Sequence, residues 1–185
     1  MLRGTMGWSA LRNAIKSSRR FHIPADGLRA TLEAADELIG ITDREQFLKR
    51  SVELARERLG LERVGISLLT EDGEHVHPTF GTDMQGRTLD ERGDSLPMDE
   101  AWRKLKERVA AGQPRWVYLP DYPRGYYKDN QRLVLTKSWL VLTPIYVENR
   151  MIGALSNDAA ITQAPMAETK QELVAVYCSL LGNML

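Results

Sequence analysis

The chain contains very little cysteine, since Cys178 is the only one in 185 residues. A single thiol cannot form an internal disulfide, and it cannot build a zinc site of several cysteines. Cys178 lies in an apolar helical stretch, so we expect a buried structural thiol. Attachment of a chromophore and redox sensing are the two alternatives for this residue.

Long apolar runs are also missing, because no stretch approaches the roughly 18 consecutive apolar residues that cross a bilayer. The first 20 residues carry basic side chains but no continuous apolar segment of the signal-peptide type. We therefore predict a cytoplasmic protein that makes no contact with a membrane.

The chain has no net charge to attract a polyanion, since 25 basic side chains balance 25 acidic ones. We therefore predict no direct nucleic acid binding. The basic residues are nevertheless unevenly placed, and residues 1–25 are interpreted as a basic helical leader ahead of a domain over residues 26–185. A solvated helix face and a docking surface for an acidic partner both explain that leader. Its basic side chains are Arg3, Arg12, Lys16, Arg19 and Arg20.

Motifs of catalysis are absent as well. The sequence has no G-x-x-x-x-G-K phosphate loop, no G-x-S-x-G and no H-E-x-x-H. Carboxylates at Asp90, Glu91 and Asp94 share a charged loop with Arg87 and Arg92, which favours solvated ion pairs over general acid–base chemistry. We predict that the chain is not an enzyme.

Four segments have helical periodicity. A capping box of Thr42 and Glu45 is expected to start the second helix, which Gly60 ends. The third covers residues 98–112, and the last begins at Pro165. The expected buried stripes are Leu28, Leu32, Ala35 and Leu38 or Ile39; Leu48, Val52, Ala55 and Leu59; Trp102, Leu105 and Val109; and Leu173, Val176 or Tyr177, Leu180 and Met184.

Strands are expected between these helices. Residues 61–70 and 74–82 form a hairpin around an acidic turn, and residues 138–158 form a second one. A short strand is expected near 87–90 and another at 115–119, while 120–130 is interpreted as a loop and 131–137 as a helical turn. The order predicts an α+β fold with an antiparallel sheet of five to six strands. The N- and C-terminal helices cover one face, and loops and a short helix cap a pocket on the other.

Three ordered motifs give the chain a resemblance to the GAF domain. "LERVGISLLTEDGEHVHPTFGTD" is similar to the first two strands of that family, and "GQPRWVYLPDYPRG" resembles the stretch before its pocket-capping segment. "SWLVLTPIYVENRMIGALSND" resembles its closing hairpin, with Pro144, Ile152 and Gly153 in the expected places. The likeness spans about residues 28–185. A PAS domain is the alternative, although PAS domains lack two helices ahead of the first strand.

The resemblance implies a regulatory module, usually dimeric and often joined to a kinase, a cyclase, a phosphodiesterase or a DNA-binding domain. The sequence does not match the motifs of those family members that bind known ligands. The N-K-x(n)-F-x-x-x-D-E signature of cyclic-nucleotide binders is absent, and Cys178 lies away from the pocket in which bilin-binding members attach their chromophore. One thiol also cannot form the disulfide that a methionine sulfoxide reductase cycle needs. The cofactor and the ligand therefore stay unknown.

The alternation of residues along the strands predicts which face carries a ligand. Val64, Ile66 and Leu68 suit packing on the terminal helices, whereas Gly65 and Ser67 leave room and hydrogen-bonding groups on the other face. Aromatic side chains of the capping segment could stack on a planar ligand. A core filled by those aromatics is the competing interpretation. The predicted ligand-binding residues are Gly65, Ser67, Trp116, Tyr118, Asp121, Tyr126, Tyr127, Thr143 and Ser156.

His75 and His77 alternate on one strand and could supply half of a metal site, but no third ligand is evident, and solvent-facing histidines are the simpler interpretation. We predict a non-catalytic sensory or regulatory domain for signal transduction or transcriptional control. It binds an unknown small molecule and forms a homodimer through its terminal helices. The alternative is a ligand-free dimerisation or protein-interaction module.

Overall fold

The described part of the chain covers residues 24–113, 116–128 and 131–185 in a computed structural model, with the backbone alone for 126–128, 131 and 132. The segment 1–23, which holds nearly all of the predicted basic leader, lies outside the described residues. None of the described helices is both long enough and apolar enough to cross a membrane.

Helices stand at both ends of the described chain and strands lie between them. The first two helices precede a hairpin, a single helix divides the strands, and the last helix closes the fold. The elements are α1 (Ala25–Leu38), α2 (Arg44–Glu57), β1 (Arg63–Leu69), β2 (His75–Thr82), β3 (Thr88–Asp90), β4 (Leu96–Pro97), α3 (Glu100–Ala110), β5 (Val117–Lys128), β6 (Gln131–Val147), β7 (Arg150–Asp158) and α4 (Glu168–Met184).

The strands form one antiparallel sheet in the order β3-β2-β1-β7-β6-β5, with β4 paired to β2. Strand β1 therefore lies beside β7, and Gly65 pairs with Ser156 while Ser67 pairs with Ala154. This architecture confirms the predicted α+β fold with an antiparallel sheet. The described sheet has seven strands instead of five to six, because the two-residue strand β4 also pairs with β2.

The prediction of a loop at 120–130 and a helical turn at 131–137 is wrong. Strands β5 and β6 pair along this whole region, from Val117 opposite Leu142 to Lys128 opposite Gln131. Prolines at 120 and 123 suggested a loop, but β5 is the edge strand of the sheet, where a missing N–H breaks no pairing on the outer side. A bend at Asp121, whose φ is 56°, accompanies a register shift in the hairpin.

One face of the sheet is covered by α1, α2 and α4. Val64 and Ile66 point into this layer with Leu68 packed beside them, as the alternation of β1 predicted. Tyr177 is fully buried there, and its hydroxyl donates to the carbonyl oxygen of Ser51 at 3.0 Å. This apolar layer ties the N-terminal and C-terminal helices to one another and to the centre of the sheet.

Two details of the helices differ from the sequence expectation. The buried face of α1 is not the one predicted, because Leu28, Leu32 and Ile39 are exposed. The residues that pack inward are Thr31, Ala34, Ala35 and Leu38. Small side chains let α1 approach α4 closely: a Cβ at Gly27 would lie 2.5 Å from Leu173 Cδ1.

The starts of two helices also differ from the sequence prediction. The cap of α2 is Asp43, whose carboxylate accepts from the N–H of Gln46 at 2.7 Å, so Thr42 is not the capping residue. Helix α4 begins at Glu168 and not at Pro165. Neither shift changes the layer to which the helix belongs.

The other face of the sheet is covered by α3, and Val117 and Leu119 of the edge strand β5 contribute side chains to the same layer. Trp102 and Leu105 of α3 pack against Leu140 and Leu142 of β6 and form a second apolar core. Asp99 caps α3 by accepting from the N–H of Trp102 at 3.2 Å. This second core fills only part of the sheet face, and the remaining space is a cavity.

Candidate functional site

The cavity lies between the centre of the sheet, α3 and β5, and it is partly open to solvent. Its volume is about 70 Å³. An enclosed cavity of about 150 Å³ accommodates benzene, so this one surrounds a group of only three or four non-hydrogen atoms. A tetrapyrrole or a nucleotide is far too large for the space as it stands.

Small residues on the two central strands form the floor of the cavity. Gly65 and Ser67 of β1 face it beside Ala154 and Ser156 of β7. Each strand contributes alternate residues, as pleating requires. The Ser156 hydroxyl donates to the carbonyl oxygen of Gly65 at 3.3 Å, and a Cβ at position 65 would lie 3.1 Å from that hydroxyl oxygen. The cavity thus exists because these four positions carry small side chains.

Two arginines share one carboxylate at the end of the cavity. Arg124 donates to Asp158 through Nε at 2.6 Å, and its Nη2 lies 2.5 Å from the same oxygen. Arg63 Nη1 lies 3.4 Å from the other carboxylate oxygen. The side chain of Asp158 is fully buried, and those of Arg63 and Arg124 are 4% and 13% exposed.

Backbone carbonyls hold Arg63 in place. Its Nε and Nη2 donate to the carbonyl oxygen of Thr82, and Nη2 also donates to that of Gly125 at 2.8 Å. Burial lowers the pKa of Arg63 from its usual value, Asp158 opposes that shift, and Arg124 adds to it. A guanidinium stays charged at neutral pH all the same, so the cavity end carries two fixed cations around one anion.

Two acids complete the lining. The carboxylate of Glu91 fills the space beside Gly81 that a side chain there would need. The carboxylate of Asp99 accepts from the hydroxyl of Tyr122 as well as from its own helix end. Strand β5 is therefore tied to the start of α3 by a side-chain hydrogen bond between two residues that line the cavity.

The structure brings together only some of the residues that the sequence predicted for a site. Gly65, Ser67 and Ser156 line the cavity. Thr143 does not, because it belongs to the alternate set of β6 that faces the helices, where it is 1% exposed.

The remaining predicted residues stand apart from the cavity. Trp116 is half-buried before β5, Tyr118 is 44% exposed, and Asp121 is exposed at the bend of β5. None of these three lines the cavity. The side chains of Tyr126 and Tyr127 lie outside the described residues.

The charged residues of the site were missed from the sequence. Alternate residues of a strand point to the same face, so Arg63 faces the same side as Gly65 and Ser67 of β1. Asp158 likewise faces the same side as Ser156 of β7. Extending the alternation to the ends of both strands would have placed Arg63 and Asp158 in the cavity. Their pairing joins residues 95 positions apart and depends on β1 lying beside β7. No local pattern shows that pairing.

Neither a metal nor a thioether chromophore has an evident anchor in the described residues. No group of three His, Cys, Asp or Glu side chains there could hold a metal ion. His75 and His77 are exposed, and His77 Nδ1 lies 3.1 Å from the carbonyl oxygen of Asp94. Cys178 is buried on the helix-covered face, opposite the cavity, and burial raises the pKa of its thiol.

Comparison with protein families agrees with this geometry. The family model of the GAF domain matches residues 43–185. The chain belongs to the GAF domain family. This confirms the resemblance noted in the sequence and assigns the chain to a family of sensory and regulatory modules. No curated protein matches the chain at a significant level.

Solved structures, a GAF domain among them, share the fold. The GAF domain of an Acinetobacter phosphoenolpyruvate-protein phosphotransferase is 14% identical, with 86% of this chain and 92% of that one covered and a TM-score of 0.61. Residues 122 to 287 of a methyl-accepting chemotaxis protein are 18% identical, with 81% and 93% covered and a TM-score of 0.59. Free methionine-R-sulfoxide reductase from Neisseria meningitidis, solved with its substrate, is 15% identical, with 89% and 92% covered and a TM-score of 0.57.

Proposed function

We propose that this chain is a non-catalytic cytoplasmic sensor domain that binds a small polar molecule in the cavity between the sheet, α3 and β5. Binding would regulate an output domain such as a kinase, a cyclase or a DNA-binding domain. The observation that carries the proposal is the cavity itself, whose small floor residues meet two buried arginines at one end. Buried ion pairs add little net stability compared with apolar side chains of similar volume, so their presence beside a cavity supports a binding role.

The chemistry of the lining favours a ligand that offers hydrogen-bond acceptors. Both oxygens of Asp158 are occupied, by Arg63, Arg124 and the N–H of Ala160. The lining also holds donors that make no hydrogen bond with another described residue, among them Nη1 of Arg124 and the hydroxyl of Ser67. A small carboxylate or oxyanion matches these donors and the volume of about 70 Å³.

A ligand screen with a cavity-filling variant tests the proposal. Formate, acetate, bicarbonate and nitrate at about 10 mM are compared by thermal shift, because a ligand of the folded state raises the melting temperature. We expect at least one anion to raise it by several degrees. Ser67→Leu, which fills the cavity, should abolish the shift, whereas Ser179→Leu on the outer side of α4 should preserve it. A shift that survives Ser67→Leu, or no shift with any probe, contradicts the proposal.

A homodimer through the terminal helices is the second part of the proposed function. Leu28 and Leu32 are 38% and 47% exposed on α1, and Ile39 just after it is 71% exposed. Helix α1 packs directly on α4, whose outer residues Val176 and Leu180 are only half-buried. These apolar side chains belong to two helices that are in contact, and a second copy could cover them.

Light scattering tests the dimer. The protein should have twice its monomer mass at tens of micromolar, and Leu32→Gln should convert it to a monomer because it removes an apolar contact from the seam. Glu33→Gln, at the next position of α1, is the matched control and should leave the mass unchanged. A monomeric native protein would contradict the dimer. A dimer with no response in the ligand screen would favour the ligand-free interaction module.

A further inference from the structure

Asp158 links the cavity to the connection that leads into α4. Its Oδ1 accepts from the N–H of Ala160 at 2.9 Å, while the same carboxylate holds Arg63 and Arg124. The residue ends β7, and residues 159–167 then run to the start of α4. Any change in how the arginines hold this carboxylate therefore acts on the first residues of the connection.

A second carboxylate holds the same connection. Glu62 lies directly before Arg63, and its side chain accepts from the N–H groups of Ile161 at 2.6 Å and Thr162 at 3.1 Å, and from the hydroxyl of Thr162. The start of β1 thus presents one residue to the cavity and its neighbour to the connection. Asp158 at the end of β7 and Glu62 just before β1 therefore attach the connection to the cavity end of the sheet.

The layer beneath α4 contains buried polar groups that have no hydrogen-bond partner among the described residues. Asn157, the neighbour of Asp158, is 1% exposed on the opposite face, and neither atom of its amide is hydrogen-bonded within the described structure. The hydroxyl of Thr143 and Oε1 of Gln171 are likewise buried without partners there. A buried polar group without a partner costs stability, so such groups in a native core call for an explanation.

These groups lie along the line of contact between α4 and the sheet. Asn157 pairs with Val141 and Thr143 pairs with Leu155, so the two polar side chains are diagonal neighbours on one face. Cys178 Sγ lies 4.0 Å from the carbonyl oxygen of Thr143, which places α4 above this region. Gln171 precedes Cys178 by two helical turns and thus lies on the same side of α4.

From this arrangement we infer that the state of the cavity controls how firmly α4 packs on the sheet. Asp158 connects the cavity to the segment that leads into α4, and the unpaired polar groups around Asn157 allow the helix to shift. The inference rests on the proposed function for its signal, a ligand at Arg63 and Arg124. A helix that docks on unpaired polar groups is held less firmly than one on a wholly apolar layer. A perturbation at Asp158 can then move α4 with little change elsewhere.

Hydrogen exchange on ligand-free protein tests this coupling. Arg124→Gln removes two charge-assisted contacts from Asp158 and should accelerate exchange of the α4 amides by about tenfold or more. Arg124→Lys, which keeps the charge without the fork of donors, gives a milder version if the glutamine variant does not fold. Asn157→Leu replaces the unpaired amide by an apolar side chain of similar size, so it should raise the melting temperature by about 5 °C.

The double variant decides the question. With Asn157→Leu in place, the Arg124 substitution should accelerate α4 exchange by less than about threefold, because the helix is then held by apolar contacts. Ile145→Val lies on the same sheet face, and with it in place the full Arg124 effect should remain. Equal acceleration with Asn or Leu at position 157, an effect confined to β5 and β7, or a lower melting temperature for Asn157→Leu would each overturn the inference. A failed ligand screen would refute only the ligand, because no ligand is used here.

Discussion

Two adjacent residues of β7, Asp158 and Asn157, point to opposite faces of the sheet and differ in whether their buried polar groups are paired. On the cavity face, Asp158 is fully buried and every oxygen of its carboxylate is hydrogen-bonded or ion-paired. On the helix face, its neighbour Asn157 is buried to the same degree, and both amide atoms lack partners within the described residues. Adjacent residues of one strand thus face a satisfied polar site and an unsatisfied one.

The difference reflects the cost of leaving each kind of group unpaired. A buried charge without a partner costs several kcal/mol, whereas a buried amide without one costs roughly 1–3 kcal/mol. The folded state tolerates an unpaired buried amide, whereas an unpaired buried charge would cost too much of its stability. The cavity face is therefore expected to be rigid and intolerant of charge changes, and the helix face to gain stability when its polar groups are removed.

The largest effect is expected for Asp158→Ala. Its loss leaves the buried Arg63 without its carboxylate and frees the N–H of Ala160, which should lower the free energy of unfolding by about 3–5 kcal/mol. Urea denaturation measures the change. Glu33→Ala, an exposed acid on α1, is the control and should have almost no effect. A loss below about 1 kcal/mol would show that the cavity face is no more demanding than the other.

Gly182→Ala should also be destabilising, although alanine is the better helix former. A Cβ at this position would overlap the carbonyl oxygen of Tyr146, because α4 lies directly on β6 there. We expect a net loss of about 2 kcal/mol after the gain in helix propensity is counted. Ser179→Ala, on the exposed side of α4, should leave stability unchanged or raise it slightly. A stable Gly182→Ala variant would mean that α4 can lift away from the sheet at no cost.

Alkaline pH should weaken the helix face through Cys178. Burial raises the pKa of this thiol above its value in the unfolded chain, so the unfolded state alone ionises as the pH passes about 8.5. Stability is complete below that pH and falls above it, by about 1.4 kcal/mol per pH unit. Urea midpoints between pH 8 and 9.5 should therefore fall more steeply for the native protein than for Cys178→Ala. Equal slopes would contradict the burial of the thiol.

The smallest effects compare two hydroxyls on opposite faces. Thr143→Val removes an unpaired hydroxyl and should raise the free energy of unfolding by about 1 kcal/mol. Ser156→Ala removes the donor to Gly65 and should lower it by about 0.5–1 kcal/mol. Thermal and urea denaturation of both variants give the signs. Equal signs would end the distinction between the two faces.

The alternation of β1 was enough to predict the helix face and part of the cavity floor. Val64 and Ile66 could be assigned to the helices, and Gly65 and Ser67 to the cavity, because pleating alone decides the direction of each side chain. Thr143 was misplaced because its polarity suggested a ligand site, whereas its parity along β6 puts it on the helix side. Periodicity was the more reliable guide of the two.

Other features depend on contacts that no local pattern contains. The strand nature of 120–128 and 131–137 follows from the pairing of β5 with β6, and that long pairing overrides the turn preferences of the prolines in β5. The buried face of α1 follows from its close approach to α4, which selects Ala34 and Ala35 over the larger Leu28 and Leu32. The two arginines meet Asp158 only after the whole sheet is assembled.

The size of the cavity limits how tightly this domain can hold a signal molecule. The best small ligands gain about 1.5 kcal/mol for each non-hydrogen atom. Three or four enclosed atoms then give about 4.5–6 kcal/mol, which corresponds to dissociation constants from roughly 0.5 mM to roughly 40 μM. Under the proposed function, the domain would therefore respond to an abundant metabolite or nutrient ion over its ordinary range of concentration, and a scarce messenger at nanomolar levels would leave it empty.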